Sequence, residues 1–258
     1  MKRVIISGTG VCVPEAVISN EDLVKSFNRW VDQENSVRSA AGEEPLQKSS
    51  ADFIYHASGI KRRHVHTPDG ILDIDRMTPR IAARDDDALS VTAEFGAAAA
   101  RDALADAGVD AREVDLVVCA GSHLQRMYPS IGIEIQQEIG AQGAAFDLSL
   151  GCSSAAAGLH VAFNLLRAGA HKRVLVVTPE IITGHLNFRD RQTHFIFGDA
   201  ASALLLEAVD DDEQRGGRFE VIDTRGWTQF SNNIRTNFGF LNRAGLDDPS
   251  AVPMEGNM

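Results

Sequence analysis

The sequence predicts an α/β protein with helices layered on a sheet, and three observations carry that expectation. Apolar runs of strand length recur at Val4 to Val11, Val114 to Ala120, Lys172 to Thr178 and Ala201 to Ala208. Segments with helix spacing and helix-end residues separate them. The run Val114 to Ala120 reads as continuously apolar, as a strand of a parallel sheet does when both its faces are covered. Alternation of this kind favours a layered domain with right-handed crossovers.

In chain order, Val4 to Val11 is a buried strand. Asn20 stands where an N-cap is expected, and Glu21 and Asp22 suit the positive end of a helix dipole. Residues 28 to 52 and 67 to 88 are polar and read as irregular insertions, the second holding Asp85-Asp86-Asp87. Long irregular stretches inside compact domains are usually covers or mobile loops. Ser90 caps an alanine-rich helix that ends at Gly108. Pro129-Ser130 opens a helix that Gly140 closes. The acidic run Asp210-Asp211-Asp212-Glu213, with Gly216-Gly217, reads as a linker, and a further strand is expected from Phe219 to Thr224.

A chain of 258 residues can bury a large core. No apolar run is long enough to span a bilayer, and Met1-Lys2-Arg3-Val4 leads into a strand rather than a secretory leader. Three cysteines in this length make no disulfide framework, so a reducing cytoplasm is expected. A net charge of -11 argues against a nucleic-acid partner. His64 and His66 share one strand face, but no third ligand follows at useful spacing, so no metal site is expected. Gly8-Thr9-Gly10 is too short for a dinucleotide loop.

Cys152 is the most informative residue. An apolar, strand-like run ends at Leu150, and a helix-period segment of small residues runs from the cysteine to about Ala168. The sulfur is therefore expected at a strand-to-helix elbow, where unpaired N–H groups and the helix dipole favour a thiolate. A cysteine so placed drops roughly one to several units below its free pKa and becomes a strong nucleophile. Cys12 and Cys119 sit at strand ends and read as core fillers. His160 lies eight positions after Cys152, about 12 Å along the helix axis, beyond hydrogen-bond reach. Spacing selects none of His123, His185 and His194 as its partner.

The Cys152 segment resembles the nucleophile elbow of β-ketoacyl-ACP synthase III, the decarboxylating condensing enzymes of the thiolase superfamily. Other stretches resemble the family in the same order: Ile5 to Gly10 with Pro14, Ser58 to His64, Tyr128-Pro129-Ser130, Phe146-Asp147 and Ile196 to Ala201. The resemblance implies a thiolase-like α/β fold of two similar halves. Residues 1 to 208 are then the first half, and residues 209 to 258 a linker and the start of the second. The activity implied is decarboxylative Claisen condensation in fatty-acid or related biosynthesis. Cys152 takes an acyl group from acyl-CoA as a thioester, and a malonyl thioester on acyl carrier protein or CoA then condenses with it. Coenzyme A enters as a substrate thioester, with no cofactor, and the protein is expected to be a homodimer without nucleic-acid or membrane partners.

By the same resemblance, a histidine and an asparagine bind the malonyl carbonyl. No histidine follows His194, so this chain is expected to be the N-terminal portion of the enzyme. Asp199 and Gly198 are implied to brace the active-site loop, Tyr128 to reach across the dimer interface, and Arg191 to pack on the coenzyme A adenine. Phe53 stands where the family has the opposing tryptophan, and Ala57 where it has a nearby arginine. Leu186 to Arg191 and Phe230 to Arg235 resemble a longer-chain subgroup, which leaves acyl length open. An acidic carrier protein would need a basic patch on this acidic chain, for which Arg62 with Arg63, or Arg189 with Arg191, are candidates. The alternatives are a non-catalytic dimerising or acyl-binding fragment, or a thiolase or polyketide-type relative.

Overall fold

The computed structural model describes residues 2–210 and 219–233. In chain order its elements are β1 (Arg3–Cys12), β2 (Val17–Ser19), α1 (Asn20–Ala41), α2 (Ala51–Ser58), β3 (Arg62–His64), α3 (Val91–Ala107) and β4 (Leu116–Ala120). They continue with α4 (Ile131–Ile139), β5 (Ala144–Leu148), α5 (Ser154–Arg167), β6 (Arg173–Glu180), β7 (Ala200–Val209) and β8 (Phe219–Glu220). Two compact units result: one from Met1–Val13, Ala83–Ile181 and Ala200–Thr228, the other built around Pro14–Ala82 and Ile182–Asp199.

The first unit is a six-stranded sheet in the order β5-β4-β6-β7-β1-β8. The strands β5, β4 and β6 are parallel, whereas β7 runs antiparallel to both β6 and β1. The parallel sheet read from the sequence therefore holds for three strands only. The segment between β6 and β7 leaves and re-enters at the same end of the sheet, so β7 must run back.

Strand alternation explains why the central runs are apolar throughout. Val117 and Cys119 of β4, Leu175 and Val177 of β6, and Ala203 and Leu205 of β7 pack with Ala93 and Ala100 of α3 and with Ile131 and Ile135 of α4. Their neighbours Leu116, Val118, Ala120, Val174, Val176 and Leu206 point to the other face, which Ala162, Phe163 and Leu166 of α5 cover. Burying each such side chain contributes roughly 1.5–3 kcal/mol, so the two covered faces dominate the stability of this unit.

Helix ends follow the sequence signals in part. Ser90 caps α3 by accepting the Ala93 N–H at 3.1 Å, and Gly108 ends it at φ 64°. Gly140 ends α4, but Ser130 makes no side-chain cap there. Asp147 of β5 replaces it, accepting the Ile131 and Gly132 N–H groups at 2.9 and 2.6 Å. A carboxylate at that place satisfies orphan donors and meets the positive end of the helix.

In the second unit, β2 pairs with β3, and α1 and α2 pack on a core of Ile18, Leu23, Phe27, Ile54, Val65, Ile71 and Phe188. Two expectations are corrected here. The N-cap of α1 is Ser19, whose Oγ accepts the Asp22 N–H at 3.0 Å. Asn20 is instead buried, with Nδ2 donating to Ile60 O at 2.7 Å and Oδ1 accepting from Arg63. The stretch 28 to 52 is also not irregular from its start, because α1 runs on to Ala41. Leu23, Phe27 and Val31 recur every four residues on its buried face, while its polar residues form a solvated face. After Gly42 the chain returns along α1, held by paired amides. Asn28 bonds the N–H and O of Ser49 at 2.9 and 3.0 Å, and Asn35 those of Leu46 at 2.6 and 3.0 Å. Residues 67 to 88 do form turns and irregular backbone.

His194 lies wholly buried in this core, stacked on Phe27 at 4.6 Å and edge-on to Phe195 at 5.5 Å. Its Nδ1 donates to Asp190 O at 2.8 Å, and its buried Nε2 has no partner. Protonating Nε2 would bury an unpaired cation. Desolvation above all, with the Arg63 charge adding to it, lowers the imidazole from 6.5 to about 4. The folded protein thus keeps His194 neutral while the unfolded chain protonates near 6.5. Its contribution is complete above 6.5 and is lost as pH falls towards 4, about 3 kcal/mol at ~1.4 kcal/mol per pH unit. Denaturant unfolding at pH 7 and pH 4 should therefore show a smaller acid loss for His194→Phe than for the parent protein. Equal losses would place the acid sensitivity elsewhere.

Candidate active site

The edge strand β5 ends at Leu148, and the chain turns through Ser149, Leu150 and Gly151 before α5 begins at Ser154. Cys152 is exposed in this elbow, whereas Cys12 is partly covered and Cys119 buried. The helix does not start at the cysteine as expected. The sulfur precedes the first helical residue by two positions, and no side chain caps the helix. Gly151 takes φ 55°, a left-handed conformation that costs glycine nothing.

One buried hydroxyl ties the elbow down. Ser154 Oγ accepts the Leu150 N–H at 2.8 Å and lies 3.0 Å from Gly121 O and 2.7 Å from Gly151 O, either of which can take its proton. Gly121 follows β4 directly, so Ser154 joins the turn to the sheet. One turn further on, Gly158 lets α5 lie on the sheet itself. A Cβ there would stand 2.9 Å from Val176 Cγ1 and 3.0 Å from Ala120 Cβ. Beside this elbow, Glu180 accepts the Ser122 N–H, and Ser122 Oγ lies 2.9 Å from His123 Nδ1. The link from Ser154 to Gly121 and the bond to Glu180 carried no sequence signal, because those partners lie 33 and 58 residues apart.

The other two thiols are held protonated. Burial, with Asp102 and Glu94 adding to it, raises the Cys12 pKa, and deeper burial raises that of Cys119 further. His160 Nδ1 lies 2.8 Å from Thr224 Oγ1. Tyr128, in the loop before α4, is 86% exposed.

The remaining candidate residues belong to the second unit. Asp199 is buried and accepts three hydrogen bonds, from His66 N–H at 2.7 Å, Thr183 N–H at 2.9 Å and Thr183 Oγ1 at 2.7 Å. Its own N–H donates to His64 O at 2.9 Å, and a Cβ on Gly198 would come within 2.6 Å of that oxygen. The two residues therefore clamp the segment after β3 to the segment before β7. Arg191 stacks on Phe53, with Cζ 4.1 Å from the ring centroid, and its Nε donates to Lys48 O at 2.8 Å. Arg63 cannot serve in a docking patch, since it is buried against Ile18 O, Ser19 O and Asn20.

A mixed sheet covered on both faces, with an exposed thiol at the turn into a covering helix, is a thiolase-like α/β arrangement. Residues 146–224 match the family model for 3-Oxoacyl-[acyl-carrier-protein (ACP)] synthase III. A β-ketodecanoyl-[acyl-carrier-protein] synthase of Pseudomonas aeruginosa is 48% identical over 225 residues, covering 86% of this chain and 64% of the relative. A β-ketoacyl-[acyl-carrier-protein] synthase III of Granulibacter bethesdensis is 32% identical over 219 residues, covering 84% of this chain and 56% of the relative. The crystal structure of the Aquifex aeolicus synthase III superposes with a TM-score of 0.62 at 26% identity, over 81% of this chain and 55% of that one. The chain is similar to 3-oxoacyl-ACP synthase III proteins, and it spans between half and two-thirds of the length of these relatives.

Iodoacetamide near neutral pH should label Cys152 well before Cys12 or Cys119, as peptide mapping would show; either of the others reacting first would contradict the burial argument. Ser154→Ala should lower stability by about 1–3 kcal/mol, because the Leu150 N–H loses its buried acceptor. It should also slow Cys152 labelling or make it heterogeneous by loosening the turn.

Proposed function

We propose that this chain carries the acyl-accepting step of a decarboxylative condensing enzyme of fatty-acid or related biosynthesis. The observation that carries the reading is Cys152, the exposed thiol of the three, in the elbow that lies within the stretch matching the family. Its Sγ attacks the carbonyl carbon of an acyl-CoA. A new thioester forms on the cysteine, the bond to the coenzyme A sulfur breaks, and coenzyme A leaves as the thiol. When a malonyl thioester, on ACP or CoA, loses CO₂, the two-carbon carbanion left behind attacks the acyl carbonyl carbon. The carbon–carbon bond forms, the thioester bond to Cys152 Sγ breaks, the 3-oxoacyl group leaves on the malonyl carrier, and the cysteine returns to its free form. The residues described here support the acylation step, and to them alone we assign it.

The family neighbour's name supports a medium-chain primer. A ten-carbon 3-oxoacyl product needs an eight-carbon acyl group when condensation adds two carbons. We place the coenzyme A moiety on the Arg191 side of the second unit, with Phe53 backing the guanidinium and Asp199 and Gly198 holding the local backbone. Coenzyme A is substrate here, and no cofactor is invoked. Free thiols fit a reducing cytoplasm, and no helix of the described residues is long and apolar enough to cross a membrane.

A homodimer is part of the proposal. The strand β5 is a sheet edge with unpaired backbone groups, and Phe146 on it is exposed together with Met127, Tyr128 and Leu150 nearby. Such an edge needs a cover, and a second copy supplies one with two-fold symmetry.

Incubation with octanoyl-CoA should add one acyl mass to the parent protein and none to Cys152→Ser, whose fold should survive the small volume change. Acylation of the serine variant would show that the nucleophile is another residue. Sedimentation should give a dimer at micromolar concentration, and Phe146→Asp should shift it towards monomer. A monomeric parent would refute the paired edge.

A further inference from the structure

The thiol stands on the least supported part of the sheet. Its elbow follows β5, an edge strand paired among the described residues with β4 alone. The strand β6 lies inside the same sheet, bonded to β4 on one side and to β7 on the other, and Glu180 is its last residue. Glu180 Oε1 accepts the Ser122 N–H, while Oε2 is buried and makes no hydrogen bond among the described residues. The acylation chemistry above makes no use of this carboxylate.

The Ser122 N–H and the Gly121 carbonyl belong to one peptide group. That group is planar, so the direction of its N–H dictates the direction of its C=O. Gly121 O lies 3.0 Å from Ser154 Oγ, the hydroxyl that accepts the Leu150 N–H in the elbow. Gly151 O is nearer, at 2.7 Å, but it already accepts the Ser154 N–H at 3.0 Å. A carboxylate on the N–H side also polarises the amide and makes its oxygen the better acceptor. Both effects direct the Ser154 proton to Gly121 O. The same glycine donates its own N–H to Leu148 O at 3.2 Å, at the end of β5.

We propose that Glu180 is a positioning residue of the Cys152 site. Through the Gly121–Ser122 peptide it orients the Ser154 hydroxyl, and so carries the rigidity of an interior strand into an elbow built on the sheet edge. It acts through Ser154 rather than on the thiol. This rests on the reading above that Cys152 is the acyl-accepting thiol.

Because one oxygen serves one N–H, acceptor and charge can be separated. Glu180→Gln keeps an acceptor for Ser122 and removes the charge, and Glu180→Met keeps the bulk and removes the acceptor. Iodoacetamide labelling of Cys152 in the full 258-residue chain is followed by peptide mapping, with Cys119, buried in β4, reporting on the sheet. Glu180→Met should slow Cys152 about fivefold or more with Cys119 still unlabelled, whereas Glu180→Gln should stay within about threefold of the parent. Adding Glu180→Met to Ser154→Ala should change labelling by no more than about twofold, because both act on one route. Parent-like labelling in Glu180→Met, equal slowing in Glu180→Gln, a double variant slowed by the product of the single effects, or Cys119 exposed in Glu180→Met would each overturn the proposal.

Intact-mass kinetics with octanoyl-CoA separates this role from the reading it rests on. Glu180→Met should lower the saturating acylation rate about fivefold or more and leave the half-saturating concentration within about twofold. The converse pattern would make Glu180 a binding residue and refute the role. A parent chain that gains no acyl mass, with the labelling pattern as expected, removes the acyl-CoA reading and leaves the positioning role. Acylation of the parent, with labelling unmoved by Glu180→Met, does the reverse.

Discussion

The close approach of α5 to the sheet is the constraint on which the candidate site rests. Val118, Val176 and Leu206 need a covering helix, and the covering helix is the one that begins at the elbow. With no side chain at position 158, α5 can lie directly against β4 and β6, and that fixes where its first turn can stand. Any residue larger than hydrogen there would lift the helix. The elbow would rise with it, and the Ser154 hydroxyl would lose its reach to Gly121. The position of the Cys152 backbone is thus a consequence of core packing rather than of local loop chemistry.

Polar side chains of one element satisfying backbone donors of another supply the second layer of order. Asp147 caps α4 from β5, Ser154 holds the turn before α5, and Asp199 takes two N–H groups and a hydroxyl from separate segments. Each of these acceptors meets donors that would otherwise be buried unpaired, at roughly 1–3 kcal/mol apiece. They act as rivets at places where secondary structure stops. They fix the local backbone geometry at these stops.

What was legible in the sequence was what is local. The runs of β1, β4, β6 and β7, the Ser90 cap and the glycine ends of α3 and α4 depend on residues within a few positions and stand close to where the sequence put them, whereas the strand expected from Phe219 to Thr224 is only Phe219–Glu220. The errors share a different cause. Ser19 and Asn20 are both good capping types, and the choice between them is made by Arg63, which claims the asparagine from 43 residues away. Helix α1 was cut short because its polar face dominates the composition, while its buried stripe of Leu23, Phe27 and Val31 is only one residue in four. The thiol of Cys152 was found because a strand end, a glycine and small helical residues adjoin it in sequence. The tie from Ser154 to Gly121 and the support at Glu180 were not, because those partners become neighbours only on folding.

The extension of α1 also changes how the substitution at position 53 should be read. Taken alone, phenylalanine at the place where the resemblance implies a tryptophan offers a smaller aromatic face and no N–H donor. The same chain, however, carries a tryptophan on the length of α1 that the sequence reading had left irregular, and its paired asparagines fold residues 43 to 50 back beside it. Phe53 is then free to serve as a platform for Arg191, edge-on to Phe195 in the core, while Trp30 presents its face to Arg189.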